Sequence, residues 1–290
     1  MKRTILTGIL ALAAGVPVLM AQARPAGQPA PAAQAAPAGQ AAPAAPSGPH
    51  VKSPEEMTAL RALVAAQNQG NADAIVKAAE DFVTQFADTE FKEMALSLEA
   101  AAYQMKNDAA NAQVAWGRVV AVNPKSLQGN LKMGGIIAAQ TRDKDLDRDD
   151  NLALAEKYLK TAMEILKTAP KPNPQITDPD WEVAKKQMDA EAHNGLGLVA
   201  LTRASANKDP DPKKYTAAVD EFQIAASEDP DLLTYSARLA AAYQNAGRSA
   251  DAIAICDKLL ANPQLNPAIK DFITNNVRPA ATKALAAPAK

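Results

Sequence analysis

The 290-residue sequence has few of the side chains on which most metal sites and covalent catalysis depend. It contains one cysteine, Cys256, and two histidines, and aromatic residues make up only 4% of the chain. A single cysteine cannot form an intramolecular disulfide, and so few thiols and imidazoles exclude the common metal sites. We interpret Cys256 as a small buried hydrophobic residue and expect no metal ion and no other cofactor.

The sequence also lacks an excess of charge of either sign. Its 31 Lys and Arg residues stand against 32 Asp and Glu residues, for a formal net charge of −1. Such a chain has no surplus of positive charge with which to neutralise a row of phosphates or to hold an anionic membrane surface. Nucleic acid is therefore not an expected partner.

Motifs for catalysis are missing as well. His50 lies in a proline-rich segment, and His193 is interpreted as a surface residue of a helix, so no Ser or Cys can be paired with a histidine. The sequence contains no HExxH, no CxxC and no glycine-rich phosphate loop. We predict a protein without enzymatic activity and name no catalytic residue.

The first residues have the pattern of a secretory signal peptide. Lys2 and Arg3 precede an apolar stretch over 5–20, and residues 21–23 read Ala-Gln-Ala, a small-x-small cleavage site. We predict that residues 1–23 are a signal peptide and that the mature chain is periplasmic or secreted. An uncleaved anchor is the alternative, because the apolar stretch is near the lower limit for spanning a bilayer.

A disordered linker is predicted between the signal peptide and the folded domain. Over residues 24–50, Ala, Pro, Gln and Gly supply nearly every position and no acidic residue occurs. This composition cannot bury enough apolar surface to offset its ordering entropy, and the prolines favour extended stretches. Helical patterning begins after Val51, where Ser53 is an N-cap candidate directly before Pro54.

Five helical segments share one template, a small residue followed four positions later by a larger one. The pairs are Ala78/Phe82, Ala112/Trp116, Ala155/Leu159, Ala218/Phe222 and Ala252/Cys256. Between the first two alanines, and between the last two, the interval is 34 residues. The longer intervals place their extra residues around 141–150, 167–186 and 207–212, which we predict to be loops.

A 34-residue helix-turn-helix unit with these residues resembles the tetratricopeptide repeat (TPR) family. The fifth unit matches most closely, with Leu239, Ala240, Tyr243, Gly247 and Ala252 at family positions. The resemblance implies an all-α fold, a right-handed superhelical solenoid of about five helix-turn-helix repeats. The small residues are expected to let the two helices of a unit approach closely.

The resemblance also sets the domain boundaries. It covers approximately Pro54 to Pro263, followed by an amphipathic segment at 267–277 that we predict to be a capping helix. The solenoid is therefore expected to occupy residues 51–278, and a flexible tail is expected at 279–290.

In this family the first helices of the repeats line an inner groove that binds other proteins. Carried over by position, this surface would comprise Met94, Ser97, Gln104 and Met105 in unit two, Gln128 and Leu131 in unit three, Glu191, Asn194, Leu201 and Thr202 in unit four, and Thr234, Gln244 and Asn245 in unit five. We refer to these as the groove residues. They include no Lys or Arg, which relatives that clamp a peptide C terminus use, so binding of chaperone tails is not expected. Amide and methionine side chains suit an extended or helical segment of another protein.

The sequence thus predicts an exported protein-binding scaffold or adaptor of the bacterial cell envelope, with an unidentified protein as partner. The main alternative is a self-assembling structural protein of the envelope, whose groove is filled by its own subunits or tail. Either function is expected from a chain with a helical repeat domain and no catalytic motif.

An acidic stretch leaves a third alternative open, a calcium-regulated module. Asp145, Asp147, Asp149 and Glu156 stand at positions 1, 3, 5 and 12 of a calcium-binding loop. Asp150 occupies the position where that loop needs glycine, and the residues after it have a helical pattern. The other interpretation is a solvated loop that leads into a helix.

Overall fold

The computed structural model describes residues 48–205 and 211–287. The signal peptide predicted at 1–23 and nearly all of the linker predicted at 24–50 lie outside these residues. The described part of the chain is built from α-helices and contains no strand. None of its helices is both long enough and apolar enough to cross a bilayer.

The helices form five consecutive pairs. They are α1 (Pro54–Gln69) and α2 (Ala72–Gln85), α3 (Lys92–Met105) and α4 (Ala109–Val122), α5 (Leu127–Gln140) and α6 (Arg148–Thr168), α7 (Asp178–Ser205) and α8 (Thr216–Glu228), and α9 (Leu233–Asn245) and α10 (Ser249–Leu260). Each of these helices packs against the next one in the chain. The predicted all-α solenoid of helix pairs is confirmed.

The solenoid begins at the predicted helix start. The Ser53 hydroxyl accepts a hydrogen bond from the backbone N–H of Glu56, and Pro54 occupies the first turn. The Glu56 carboxylate is buried, and it accepts hydrogen bonds from the Lys52 backbone N–H and from the Thr89 hydroxyl, the latter at 2.6 Å. Residues 50–53, referred to below as the N-terminal strap, are thereby held against the loop between α2 and α3.

The larger residue of every template pair lies in the core. These residues are Phe82, Trp116, Leu159, Phe222 and Cys256, each at most 1% exposed. They all lie on second helices, where a large side chain fills the space between neighbouring helices. Burial raises the pKa of the Cys256 thiol, which disfavours the reactive thiolate, and the interpretation of this residue as a buried hydrophobic side chain is confirmed.

Glycines allow close helix contact in the third and fourth units. A Cβ atom at Gly134 of α5 would lie 2.6 Å from Cγ of Leu159 on α6, and one at Gly195 of α7 would lie 2.7 Å from Cδ1 of the same leucine. A Cβ atom at Gly197 would lie 2.6 Å from two ring atoms of Phe222 on α8. Leu159 and Phe222 therefore occupy space that only a glycine leaves open.

The three predicted loops have different outcomes. Of the loop predicted at 141–150, residues 141–147 form a loop, whereas 148–150 are the first turn of α6. Most of the loop predicted at 207–212 lies outside the described residues. The loop predicted at 167–186 is largely wrong, because α6 extends to 168 and α7 begins at 178. The extended ends are stabilised by their own apolar cluster, which includes Leu166, Ile176 and Trp181. Burial of these side chains outweighs the local effect of the prolines, which fall in the short connection at 169–177 and in the first turn of α7.

The C-terminal cap is longer than the predicted capping helix at 267–277. Its elements are α11 (Pro267–Phe272), a π-helical turn (Ile273–Val277) and α12 (Arg278–Ala286). Ile273, Val277 and Ala281 are buried in the core clusters of the last repeats. The prediction of a flexible tail is therefore wrong for residues 279–286, since the apolar face of the cap continues through Ala281.

Candidate functional site

The groove residues lie on the first helices α3, α5, α7 and α9, and all but Leu131 keep some exposed surface. Gln104 and Met105 at the end of α3 are exposed, with Met105 at 55%. The half-buried groove residues are Met94, Ser97, Gln128, Glu191, Asn194, Leu201, Thr202, Thr234, Gln244 and Asn245. Their role in binding another protein stays a prediction.

Leu131 is the exception among the groove residues. Its side chain is 1% exposed and belongs to a core cluster with Leu159 and Met188. Because α7 packs directly against α5, the side of α5 that carries Leu131 is covered. The prediction that Leu131 lines the groove is wrong.

Polar side chains of three first helices are joined into a row. Nζ of Lys132 on α5 donates to both carboxylate oxygens of Glu191 on α7, at 2.6 and 2.8 Å. One turn further along α7, the side-chain oxygen of Asn194 accepts a hydrogen bond from the guanidinium of Arg238 on α9. We refer to Lys132, Glu191, Asn194 and Arg238 as the polar row.

The polar row corrects the expectation that no Lys or Arg accompanies the groove residues. Lys132 and Arg238 both contact a groove residue on α7, and both are half-buried. Each stands two residues before the small residue of its repeat, Gly134 or Ala240. This shared register was visible in the sequence, but the positions carried over from the family do not include it.

The two cations of the polar row have different partners. Lys132 is paired with a carboxylate, whereas Arg238 donates to the neutral amide oxygen of Asn194. Burial lowers the pKa of Arg238, although an arginine remains charged in proteins. Tyr235, one turn earlier on α9, is 5% exposed. Burial, helped by the carboxylates of Glu191 and Asp229, raises its pKa well above the usual range. Tyr235 therefore keeps its phenolic proton at physiological pH.

His193 connects the two helices of the fourth unit. Its Nδ1 lies 2.6 Å from a carboxylate oxygen of Glu221 on α8, and its Nε2 lies 3.6 Å from Asp189 on α7. The hydrogen bond to Glu221 raises the pKa of His193, burial opposes this shift, and the charges of Glu221, Asp189 and Glu228 add to it. The interpretation of His193 as a helix-surface residue is corrected, because the imidazole is half-buried between carboxylates.

We expect the contact between His193 and Glu221 to weaken as the pH rises. The folded-state pKa of His193 is raised above the ordinary value of 6.5. The stabilisation that protonated His193 contributes is therefore complete below pH 6.5 and is lost as the pH rises through the folded-state pKa. The free energies of unfolding of the parent and of His193→Gln can be measured in urea between about pH 5 and pH 8.5. The parent should be more stable than the variant by a larger margin at the acidic end of this range. His50→Gln, at an exposed position, is the control. A difference between parent and His193→Gln that does not change with pH would contradict the prediction.

The acidic stretch after α5 does not form the calcium-binding frame. The frame requires an open loop up to Glu156, but α6 begins at Arg148. The Glu156 carboxylate pairs with Lys160 and with Arg203 of α7, and the Asp145 carboxylate accepts the backbone N–H of Arg142. Within residues 48–205 and 211–287, no three His, Cys, Asp or Glu side chains are grouped so as to hold a metal ion. The calcium hypothesis is therefore not retained.

Two depressions on the described surface carry no catalytic pair. One, of about 530 Å³, lies between the end of α10 and α12 and is lined by Leu260, Thr274, Arg278, Pro279, Thr282, Lys283 and Ala286. The other, of about 130 Å³, is lined by Pro212, Lys213, Thr216, Val219, Ala246 and Arg248. Neither lining contains a carboxylate, a histidine or a cysteine that could serve as base or nucleophile.

Comparisons with known proteins add a similarity among solved structures. No family model matches the chain, and no curated protein matches it. Among solved structures, a thermophilic TPR protein from Thermus thermophilus is similar, at 20% identity and a TM-score of 0.45, over 76% of this chain and 97% of that chain. The fold described above rests on the helix pairing and the core of this chain.

Proposed function

We propose that the chain is a non-enzymatic scaffold or adaptor that binds segments of other proteins on its first helices. The supporting observation is the separation of side chains between core and surface. The large apolar residues of the repeats are buried between helices, whereas the groove residues other than Leu131 keep exposed surface. Amide, hydroxyl and thioether groups offer hydrogen bonds and adaptable packing to an extended or helical segment.

The contacts of the reactive side chains agree with a binding role. Cys256 is fully buried, so its thiol is shielded from a substrate. The imidazole of His193 contacts the carboxylates of Glu221 and Asp189 rather than a hydroxyl or a thiol. His50 lies in the N-terminal strap, where its backbone N–H donates to Glu90. None of these three residues is arranged as a nucleophile with its base.

We also propose that the chain is exported and acts in the bacterial cell envelope. The support is the signal-peptide pattern at 1–23 and the proline-rich composition at 24–50. The N-terminal strap is bound to the loop between α2 and α3, so a linker would join the solenoid at its first repeat. Fractionation of cells with N-terminal sequencing of the mature chain would test this. A chain that keeps residue 1 and stays in the cytoplasm would contradict export.

A capture experiment with matched variants tests the binding surface. The groove variant combines Gln104→Arg, Met105→Arg and Gln244→Arg on the first helices α3 and α9. The control variant combines Val114→Arg, Leu154→Arg and Ile224→Arg at exposed apolar positions of the second helices α4, α6 and α8. Both variants add the same charge, so a difference between them reports the position of the substitutions.

We expect the parent and the control variant to retain a partner from envelope extract and the groove variant to lose about nine-tenths of it, a tenfold weaker binding. Equal retention by all three chains would contradict the proposed surface, and so would retention of nothing. Light scattering of the purified chain tests self-assembly. A concentration-dependent oligomer that the groove variant abolishes would replace the adaptor function by the structural one.

A further inference from the structure

We infer that the two ends of the solenoid bind each other, so that the C-terminal cap of one molecule holds α1 of a second copy. The receiving surface is the depression of about 530 Å³ between the end of α10 and α12, referred to below as the cap cleft. The entering surface is the exposed side of α1, referred to below as the head face, with the residues Glu55, Thr58, Ala62, Ala65 and Gln69. This contact uses no groove residue and goes beyond the function proposed above.

The first argument is the apolar surface that the cap leaves exposed. The cap cleft is lined in part by the apolar side chains of Leu260, Pro279 and Ala286. Next to Ala286 on α12, Leu285 is 61% exposed, and Phe272 at the end of α11 is 40% exposed. The terminal elements of a solenoid need a polar outer side where they face water. An apolar outer side therefore indicates a surface that another protein surface covers.

The second argument is that the head face fits a shallow cleft. Its five residues follow one another at intervals of three or four positions, so they lie on one side of α1. Thr58, Ala62 and Ala65 are small, which lets the backbone of α1 come close to a partner. The cap cleft has room for a few small side chains but not for a whole helix. A helix that presents small side chains can therefore lie on it and cover Leu285.

The third argument is the opposite charge of the two ends. Residues 48–91 contain seven acidic and three basic residues, whereas residues 258–287 contain four basic residues and one acidic residue. In the cap, Lys270 and Lys283 are exposed and form no ion pair with any described residue, and the same holds for Glu55 on the head face. Opposite charges around an apolar contact attract the two ends and determine which end meets which.

The same charges disfavour a two-fold contact between equal ends. Two caps would bring the lysines of one molecule beside those of the other, and two head faces would do the same with Glu55. A contact between unlike ends leaves a free cap cleft at one end of the pair and a free head face at the other. Such a contact continues into an open filament or closes into a ring.

Two charge-reversal variants of the full chain test this contact. The head variant combines Glu55→Lys and Ala62→Lys on α1, and the cap variant combines Lys270→Glu and Lys283→Glu in the cap. Circular dichroism establishes that each variant is folded. Sedimentation equilibrium then measures the mean molar mass at protein concentrations from about 1 μM to about 500 μM, the range in which small interfaces associate.

The control variant combines Ala217→Lys and Asp220→Lys on α8. It makes the same change of charge as the head variant, at two exposed positions of a second helix in the fourth unit. A loss of association that is confined to the head and cap variants therefore reports the ends of the solenoid and not the net charge.

We expect the molar mass of the parent and of the control variant to rise with concentration, and association of the head or cap variant alone to be at least tenfold weaker. An equimolar mixture of the head and cap variants should associate again. The reason is that the cap of the head variant and the head face of the cap variant are both unchanged. Added salt should weaken association of the parent, because the attracting charges are exposed.

Two milder variants serve where a charge-reversal variant fails to fold. Glu55→Gln and Lys283→Gln each remove one charge, and each should weaken association about threefold, as expected for an exposed ion pair. No effect of either substitution on a parent that associates would contradict the charge pairing of the two ends.

Several results would overturn the contact between unlike ends. One is a parent that stays monomeric at every concentration. Another is association lost in only one of the head and cap variants, or a mixture of the two that does not associate, since equal ends would then meet. Equal loss in the control variant would indicate a general charge effect. Association abolished by the groove variant would place the contact on the first helices. Capture of a partner from envelope extract is measured separately, so the adaptor function stands or fails independently.

Discussion

Replacing Phe222 by alanine is expected to lower the free energy of unfolding by about 3–5 kcal/mol. The Phe222 ring is fully buried and belongs to a core cluster with Leu239 and Tyr243 of α9. It also fills the space left open at Gly197 of α7. Its removal would leave a cavity at the junction of the fourth and fifth repeats. In a solenoid each repeat is stabilised by its neighbours, so a cavity at a junction weakens both sides.

Urea unfolding followed by circular dichroism measures this effect, with Phe272→Ala as the matched control. Phe272 lies at the end of α11 and is 40% exposed. The same truncation at Phe272 should cost less than about 1 kcal/mol, because the folded chain buries less of this ring than of the Phe222 ring. Similar losses for Phe222→Ala and Phe272→Ala would show that the fourth repeat is not packed as described.

Replacing Gly134 by valine is expected to lower the free energy of unfolding by about 3 kcal/mol. Even the Cβ atom of the new side chain would lie 2.6 Å from Cγ of Leu159 and 3.0 Å from the backbone oxygen of Ala155. Leu159 has little room to move, because it packs closely against Gly195 on its other side. Even a Cβ atom built at Gly195 would lie only 2.7 Å from Cδ1 of Leu159. The strain would therefore separate α5 from α6.

Gly135, the next residue of α5, provides the control for this prediction. A Cβ atom at Gly135 has no atom within 4 Å, so valine there meets open space. Both substitutions change the helix propensity of the same helix equally, and Gly135→Val should change the free energy of unfolding by less than about 1 kcal/mol. Equal destabilisation by the two variants in urea unfolding would attribute the effect to propensity and contradict close packing at Gly134.

Helix starts and repeat register were predictable because they depend on short-range chemistry. Ser53 caps α1 through its own hydroxyl, and Pro124 follows the end of α4 by two residues. The template pair of Ala112 and Trp116 places both side chains on one face of α4, where both are fully buried. In each case the outcome depends on residues within about one helical turn.

The surface of the first helices was less predictable, as the neighbours Leu131 and Lys132 show. The positions carried over from the family resemblance placed Leu131 in the groove. Leu131 instead lies in the core, and its neighbour Lys132 contacts Glu191. Adjacent residues of an α-helix point about 100° apart, so a small difference in helix rotation exchanges which one is covered. That rotation is decided by the packing of α7 against α5, which no local pattern reports.

The sequence by itself determined the all-α class, the pairing of helices, the small residues at close contacts such as Gly197, and the burial of Cys256. Local hydrogen bonding, helix periodicity and side-chain size are enough for these features. Only the tertiary structure decided the lengths of α6 and α7, the helix at 278–286, and the hydrogen bond from Arg238 to the amide of Asn194. These features arise where residues distant in sequence come together, because burial and charge compensation depend on the neighbours that folding supplies.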